Sequence, residues 1–279
     1  MSIAWPVVGL AIDHRDSLRV AATRKGLPDD AHALASFKSR VVRALAPSAT
    51  VVLLDHDLGA EALRYLPERT SLVMPLEAQG YEAAGEGRLT TLLDDFSPAR
   101  AAALGAAGCK LLLPYRPDLG DAARKQEALV ARVRDGCRAA GVALVLEPIV
   151  HGLEGAPFAA AVTESARRLA GLGPDMLKLQ FPRGAADEAR ACRELTAACG
   201  QLPWVLLGGG ADADAFLAQL EIAMAAGARG FIVGRTIWDP ALVGDERASD
   251  AALRDVCVPL FARAARLARA PSPAGPRRR

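Results

Sequence analysis

The chain has 279 residues, 51% of them hydrophobic and 24% charged, and its 34 basic and 32 acidic residues leave a net charge of +2. This composition excludes a disordered protein and a disulfide-stabilised mini-domain, and it gives no reason to expect a nucleic acid partner. We expect a cytoplasmic protein without a membrane partner, because no apolar run approaches a span of ~20 residues, no signal-peptide pattern opens the chain, and the five cysteines are scattered.

Eight short apolar runs are typical of buried parallel strands, since they are nearly continuous in Val, Ile and Leu rather than alternating. The runs are 7–13, 50–56, 71–77, 109–115, 143–149, 175–181, 204–210 and 230–236. The segments between them show helical periodicity, most clearly 36–45, 98–108, 121–141 and 212–227. Ser97 and Asp212 suit helix starts, and Gly108, Gly141 and Gly227 suit helix ends.

This alternation predicts an α/β fold, a single-domain (β/α)8 barrel of the TIM type over residues 1–268. The alternative is an open doubly wound sheet, which usually has its glycine-rich turn after the first strand. Here the three consecutive glycines follow the seventh strand. Residues 241–268 would supply the closing helix, and residues 269–279 have the composition of a disordered basic tail.

Charged residues in the apolar runs locate the candidate chemistry. In this fold the active site lies at the carboxyl ends of the strands, and side chains alternate between the barrel interior and the helix layer. That alternation places Asp13, Glu147 and Lys178 inside the barrel, with Lys110 near the start of the fourth run. The chain has 29 arginines and only five lysines, so a lysine within an apolar strand indicates a role specific to an amine.

Two interpretations of these charges are open. A buried Lys–Glu–Asp network that only fills the barrel is one, since isolated charges there cost several kcal/mol unless they are paired. The favoured interpretation is catalytic. A desolvated amine beside a second cation, here Lys110, holds its proton less tightly and can attack a ketone to form a Schiff base. Glu147 or Asp13 would transfer protons during that reaction.

The last two apolar runs end in a candidate phosphate site. In this fold, the loops after the seventh and eighth strands, together with a helix N-terminus, usually receive a phosphate. The residues concerned are Gly208, Gly209, Gly210, Gly234 and Arg235. Both loops together with Arg235 predict a phosphate-bearing small molecule as the partner.

The four histidines lack the HxH and HExxH spacings of metal sites, so neither a metal site nor a cofactor is predicted. His14 and His56 follow strand ends, where they are placed to contact a substrate. No serine nucleophile elbow is present. The sequence leaves the oligomeric state open, although apolar outer helices would allow a homo-oligomer.

Residues 175–182, Asp-Met-Leu-Lys-Leu-Gln-Phe-Pro, resemble the Schiff-base strand of class I aldolases of the tagatose 1,6-bisphosphate aldolase type. This group includes the sulfofructosephosphate aldolases. Further motifs occur in the family's order between residues 7 and 260, namely 13–18, 54–59, 110–113, 146–148, 208–210 and 234–238. Six ordered motifs are far more specific than any single one.

The resemblance implies a metal-independent lyase that cleaves a ketose 1-phosphate to dihydroxyacetone phosphate and a three-carbon aldehyde. Lys178 would be the Schiff-base lysine, Glu147 and Asp13 the proton-transfer acids, and Lys110 their electrostatic partner. The substrate would be of the 6-deoxy-6-sulfofructose 1-phosphate or tagatose 1,6-bisphosphate type, which both carry a second anionic group on C6.

The resemblance also implies that Arg15 and Arg235 meet substrate anions and that the loops of Gly208, Gly209, Gly210 and Gly234 receive a phosphate. From their positions at strand ends, His14 and Asp55 are added to the predicted substrate-binding residues. Two positions depart from the family pattern, because His14 stands where glutamine is usual and Gln180 where glutamate is usual. An isomerase or epimerase that uses Glu147 and Asp13 without a covalent amine is the alternative enzyme. A degenerate barrel that binds a sugar phosphate and regulates a partner is the alternative outside enzymology.

Overall fold

The computed structural model describes residues 3–270 and contains a closed barrel of eight parallel strands. The barrel strands are β1 (Val7–Ala11), β2 (Val51–Leu53), β3 (Ser71–Pro75), β6 (Gly108–Pro114), β7 (Ala143–Ile149), β8 (Met176–Leu179), β9 (Trp204–Leu207) and β10 (Gly230–Val233). Their order around the barrel is β1-β10-β9-β8-β7-β6-β3-β2. The predicted (β/α)8 barrel is therefore confirmed, and each of the eight apolar runs contains a strand.

Helices connect the strands and surround the barrel. They are α1 (Asp16–Arg24), α2 (Ala31–Leu45), α3 (Pro98–Ala103), α4 (Gly120–Ala140), α5 (Gly155–Ala170), α6 (Glu188–Cys199), α7 (Ala213–Ala225), α8 (Arg235–Trp238), α9 (Glu246–Ala252) and α10 (Val258–Arg269). None of the helices between residues 3 and 270 is long and apolar enough to cross a membrane.

The predicted helix boundaries are correct where a capping side chain defines them. Ser97 accepts a hydrogen bond from the N–H of Arg100, and Asp212 accepts one from the N–H of Ala215, so both predicted helix starts are confirmed. Gly141 ends α4 with φ +69°. The predicted end at Gly108 is wrong, because α3 stops at Ala103 and residue 108 already begins β6.

The predicted closing helix over 241–268 is interrupted. It consists of α9, a π turn (Leu253–Cys257) and α10. Pro259 lies in the first turn of α10 and has no N–H to donate. The π turn directly precedes α10, where a regular α-helix would lose the hydrogen bond of that N–H. Arg269 is the last residue of α10, and residues 271–279 of the predicted basic tail lie outside the described residues.

An antiparallel hairpin of β4 (Glu82–Ala84) and β5 (Gly87–Leu89) follows β3 and was not among the predicted elements. The buried Gln126 side chain of α4 attaches it to the barrel. The Gln126 amide accepts from the N–H of Thr90 and donates to the carbonyls of Arg88 and Pro114. The hairpin is short and mostly exposed, so its sequence lacks a periodic apolar pattern.

The strand residues separate into two apolar layers. Val145 and Met176 belong to a small cluster inside the barrel, whereas Leu177 and Leu179 belong to the larger cluster between strands and helices. This alternation turns Lys178 inward with Met176, as predicted. Apolar side chains therefore fill the barrel beneath the charged layer at its carboxyl end.

Asp55 is not a cavity residue, which corrects its predicted role in substrate binding. Its side chain is 0% exposed and forms an ion pair with the equally buried Lys38 of α2. The N–H of Gly59 also donates to its carboxylate, at 3.2 Å. Lys38 reaches Asp55 from the helix layer, where both side chains are buried. The ion pair therefore links α2 to the end of β2.

Removing one member of this pair is expected to destabilise the fold. Lys38→Met leaves the Asp55 carboxylate buried without its cation, which costs about 3–5 kcal/mol of the free energy of unfolding. Urea denaturation at neutral pH measures the change. Glu194→Gln is the matched control, since it removes an exposed ion pair with Arg190 and should cost ~1 kcal/mol or less. Equal, small effects of the two substitutions would contradict a structural role for the pair.

Candidate active site

The carboxyl ends of the strands enclose a cavity of about 430 Å³. Ten of the twelve predicted site residues line it: Asp13, His14, Lys110, Glu147, Lys178, Gly208, Gly209, Gly210, Gly234 and Arg235. These residues come from six of the eight barrel strands and the loops that follow them. The fold therefore brings together residues that are up to about 220 positions apart in the sequence.

Lys178 lies on β8 with its amine at the floor of this cavity. Its side chain is 7% exposed, and its Nζ is 2.8 Å from Oε1 of Glu147. Glu147 projects inward from the neighbouring strand β7, and its Oε2 has no hydrogen-bond partner within the described residues. The carboxylate thus has one oxygen on the amine and one that remains available.

Lys110 is the electrostatic centre of the site. Its Nζ lies 2.8 Å from Oδ2 of Asp13 and 3.7 Å from Oε2 of Glu147, and it also contacts Oε1 of Glu77. Burial lowers the pKa of Lys110, but the attraction of these three carboxylates is stronger and the net effect raises it. Lys110 is therefore a permanent cation.

The acids around Lys110 differ in proton affinity. Burial raises the pKa of Asp13, but the opposing attraction of Lys110, aided by His14 and Lys178, brings it below its ordinary range. Burial also raises the pKa of Glu77, and there Lys110 does not compensate, so the net shift is upward. Asp13 is consequently held ionised, whereas Glu77 is the better proton acceptor.

Glu77 was absent from the predicted site. It follows β3, and the N–H of Leu112 donates to its Oε2 at 3.2 Å. Its sequence position could have indicated a site residue, because Glu77 ends the third apolar run just as Asp13 ends the first. The pattern alone gave no partner for it, because Lys110 is 33 residues further along the chain.

His14 packs against the wall of the cavity as a neutral ring. It meets Trp238 edge-on, with ring centroids 5.2 Å apart, and its Nδ1 lies 3.8 Å from Oδ1 of Asp13. Burial lowers the pKa of His14 to about 3, against the attraction of Asp13. Gly234 leaves room for the ring, since a Cβ there would lie 2.7 Å from the His14 Cε1.

The loops after β9 and β10 form one wall of the cavity. Gly209 and Gly210 have φ values of +59° and +78°, which favour glycine, and they turn the backbone ahead of the Asp212 cap of α7. The Thr236 hydroxyl donates to the carbonyl of Ala211 at 2.8 Å and joins the two loops. Bare backbone and the Arg235 guanidinium therefore face the same space, as anion binding requires.

Arg15 does not line the cavity in the described structure, which corrects its predicted contact with a substrate anion. Its side chain is buried, and its Nη2 donates to the carbonyl of Glu77 at 2.7 Å. The guanidinium thereby connects the segment after β1 to the segment after β3. Its role in this geometry is to position the wall that carries Glu77.

Several neutral polar side chains complete the lining. Gln180 accepts a hydrogen bond from the N–H of Val150 at 2.7 Å, and Gln79 accepts one from the N–H of Asp16 at 2.7 Å. Tyr81, ahead of the hairpin, lines the cavity and is 45% exposed. Between residues 3 and 270, no group of three or more His, Cys, Asp or Glu side chains is arranged to hold a metal ion.

Comparison with known proteins identifies the family of the chain. The family model of the DeoC/LacD family aldolases matches residues 7–240. Tagatose 1,6-diphosphate aldolase 1 of Enterococcus faecalis is 28% identical to the chain over 257 residues, which cover 82% of this chain and 78% of that protein.

Solved structures share the fold at lower identity. Fructose-bisphosphate aldolase from Plasmodium falciparum superposes with a TM-score of 0.78 at 14% identity, covering 98% of this chain and 93% of that one. An archaeal fructose-1,6-bisphosphate aldolase, with its catalytic Lys bound to the carbinolamine intermediate, superposes with a TM-score of 0.58 at 18% identity, covering 90% and 94%. The chain therefore belongs to the DeoC/LacD family of aldolases, which are lyases.

Proposed function

We propose that the protein cleaves a ketose 1-phosphate between C3 and C4, through a Schiff base on Lys178, to dihydroxyacetone phosphate and a three-carbon aldehyde. The observation that carries this proposal is the buried Lys178 amine, 2.8 Å from a carboxylate oxygen of Glu147 inside the cavity. A reactive amine needs a neighbouring group to accept and return its protons, and Glu147 is in contact to do so.

Schiff-base formation begins when Glu147 takes a proton from the Lys178 ammonium. The free amine then attacks C2 of the ketose. Glu147 returns its proton to the former carbonyl oxygen and takes a second proton from the nitrogen, which gives the neutral carbinolamine. Glu147 returns the proton to the C2 hydroxyl, which leaves as water while the C2–N bond becomes an iminium. Oε2 of Glu147 accepts no hydrogen bond from the described residues and lies 3.7 Å from Nζ of Lys110, so the carboxylate has a second oxygen that can carry the proton from nitrogen to oxygen.

Cleavage requires a base at the C4 hydroxyl. Glu77 fits this role better than Asp13, because its pKa is raised by burial while that of Asp13 is depressed. Removal of the hydroxyl proton expels the aldehyde, and the electron pair of the C3–C4 bond passes to the iminium to form an enamine. Asp13 remains ionised and holds Lys110 in place.

The second half-reaction returns the enzyme to its starting state. The proton that Glu77 took from the C4 hydroxyl is delivered to C3 and converts the enamine back to the iminium. One water molecule then hydrolyses the iminium and balances the water released earlier. Dihydroxyacetone phosphate leaves and Lys178 is free again. During both halves, the backbone of residues 208–210 and the Arg235 guanidinium would hold the 1-phosphate, so that C2 stays at the amine.

Sodium borohydride is expected to trap dihydroxyacetone phosphate on Lys178, because it reduces the iminium to a stable secondary amine. Peptide mass spectrometry should find the adduct within 175–182 and at no other lysine. Lys178→Arg should fold normally and give neither adduct nor turnover, since a guanidinium stays protonated and cannot attack a ketone.

Lys125→Arg, an exposed change on α4, should leave trapping intact. Turnover in the presence of EDTA is expected to equal that without it, as the proposed chemistry needs no metal. A folded protein that binds phosphate but gives no adduct would favour the isomerase, which requires no covalent amine.

Glu147→Gln is expected to lower kcat by about 10²–10⁴-fold, the contribution of a positioned proton-transfer group. Its amide keeps the size of the side chain but cannot move a proton between nitrogen and oxygen. Single-turnover trapping should show slower accumulation of the adduct. Glu154→Gln, at the exposed start of α5, is the control and should retain wild-type rates.

The pH profile should distinguish Glu77 from Asp13 as the cleavage base. Activity is lost as the pH falls through the pKa of the base, and the raised pKa of Glu77 places this loss above the ordinary glutamate value of about 4.5. Glu77→Gln should reduce kcat and abolish the acid limb, whereas Asp13→Asn should reduce kcat and keep it. The reverse result would assign the base to Asp13.

A further inference from the structure

We infer that the substrate of the proposed aldolase carries its only strongly anionic group on C1 and presents an uncharged, hydroxylated end at C6. This inference rests on the proposed function, because it takes the 1-phosphate and the Lys178 attachment as fixed. The inferred substrate differs from the one that the resemblance implies, which carries a second anionic group on C6. The chemical class is a ketose 1-phosphate, and the aldehyde released is an uncharged hydroxyaldehyde.

The order of strands determines which wall faces C6. The glycine loops follow β9 and β10, and the positions opposite this pair in the closed barrel are held by β3 and β6. A sugar anchored by its phosphate at the loops and by C2 at Lys178 therefore extends toward the segment after β3. That segment, residues 77–81, lines the cavity on this side.

The far wall offers hydrogen-bonding groups without a free positive charge. Gln79 uses its Oε1 for the N–H of Asp16, which leaves its amide N–H groups as donors. Tyr81 contributes a phenol, and Leu112 of β6 an apolar surface beside it. Hydroxyl groups of a sugar match this set, because they both donate and accept hydrogen bonds.

The charges of the cavity oppose a second anion. Among the described residues that line it, the cations are Lys110, Lys178 and Arg235. Lys110 already contacts three carboxylates, Lys178 is the proposed nucleophile, and Arg235 lies with the phosphate loops. The carboxylates are more numerous: Asp13, Asp16, Glu77 and Glu147. Glu77 belongs to the wall that C6 approaches, so a C6 phosphate or sulfonate would meet like charge there.

Two further cations lie near this wall without lining the cavity: Arg88 of β5, whose charge acts on Tyr81, and Arg15. The guanidinium of Arg15 donates to the backbone carbonyl of Glu77, and the residue is 8% exposed. Its Nε is buried without a hydrogen-bond partner among the described residues, but the side chain lies outside the cavity lining. For a C6 anion to contact it, the guanidinium would have to turn into the cavity, away from the Glu77 carbonyl. The cost of leaving the carbonyl unpaired works against such a rearrangement.

The condensation direction tests the inference directly. Dihydroxyacetone phosphate is combined with glyceraldehyde, glyceraldehyde 3-phosphate or 3-sulfolactaldehyde, each as both enantiomers, and kcat/KM is measured for each acceptor. Glyceraldehyde is expected to exceed both anionic acceptors by about tenfold or more, a difference of ~1.4 kcal/mol. An anionic acceptor that equals or exceeds glyceraldehyde overturns the inference.

A charge placed on the far wall should change this preference. Tyr81→Arg is expected to shift the ratio of kcat/KM values toward glyceraldehyde 3-phosphate by about tenfold, because it supplies the missing cation. Tyr81→Leu removes the phenol without adding charge and should not shift the ratio in that direction. Tyr65→Arg, on the outer surface away from the cavity, is the matched control and should leave the ratio unchanged.

Arg15→Gln identifies the cause if the wild-type enzyme prefers the anionic acceptors. Loss of that preference in this variant would show that Arg15 turns into the cavity, and the inference would be wrong for that reason. Borohydride trapping on Lys178 separates the two failures. An adduct together with a preference for anionic acceptors overturns only the inference about C6, whereas the absence of both adduct and condensation overturns the proposed function and the inference with it.

Discussion

The site depends on one buried ammonium, that of Lys110. Three carboxylates from β1, β3 and β7 converge where an unpaired acid would be costly to bury, and their shared contact with this cation allows them to stay there. The neutralisation is uneven. Asp13 is fixed in its ionised form, Glu77 keeps an affinity for protons, and Glu147 remains close enough to Lys178 to serve it. A single positive charge thus sorts three chemically similar groups into different roles.

The barrel supplies the geometry in which this sorting is useful. Inward alternation on β7 and β8 places Glu147 and Lys178 on adjacent strands, above a layer of apolar side chains. The same closure brings the loops after β9 and β10 to one side and the segment after β3 to the other. The cavity therefore has two different walls, one formed by glycine loops and Arg235 and one rich in neutral polar side chains and carboxylate.

The sequence was sufficient for the strands, the barrel and the inward direction of Lys178, because those follow from local apolar patterns and the period of two. It was insufficient for Arg15 and Asp55, whose directions depend on distant partners. Arg15 is held by a carbonyl 62 residues away, and Asp55 by a lysine on the preceding helix. The hairpin after β3 carries too few buried residues to produce a pattern at all.

The scarcity of lysine has a consequence for the surface. Three of the five lysines, at positions 38, 110 and 178, are buried, and only Lys25 and Lys125 reach solvent. The remaining exposed positive charge is carried by guanidinium groups, which stay protonated and have no free electron pair for a carbonyl. A protein that handles reactive ketones and aldehydes thus presents few outer amines to them. Among its side chains, the amines open to adventitious glycation from solvent are those of Lys25 and Lys125.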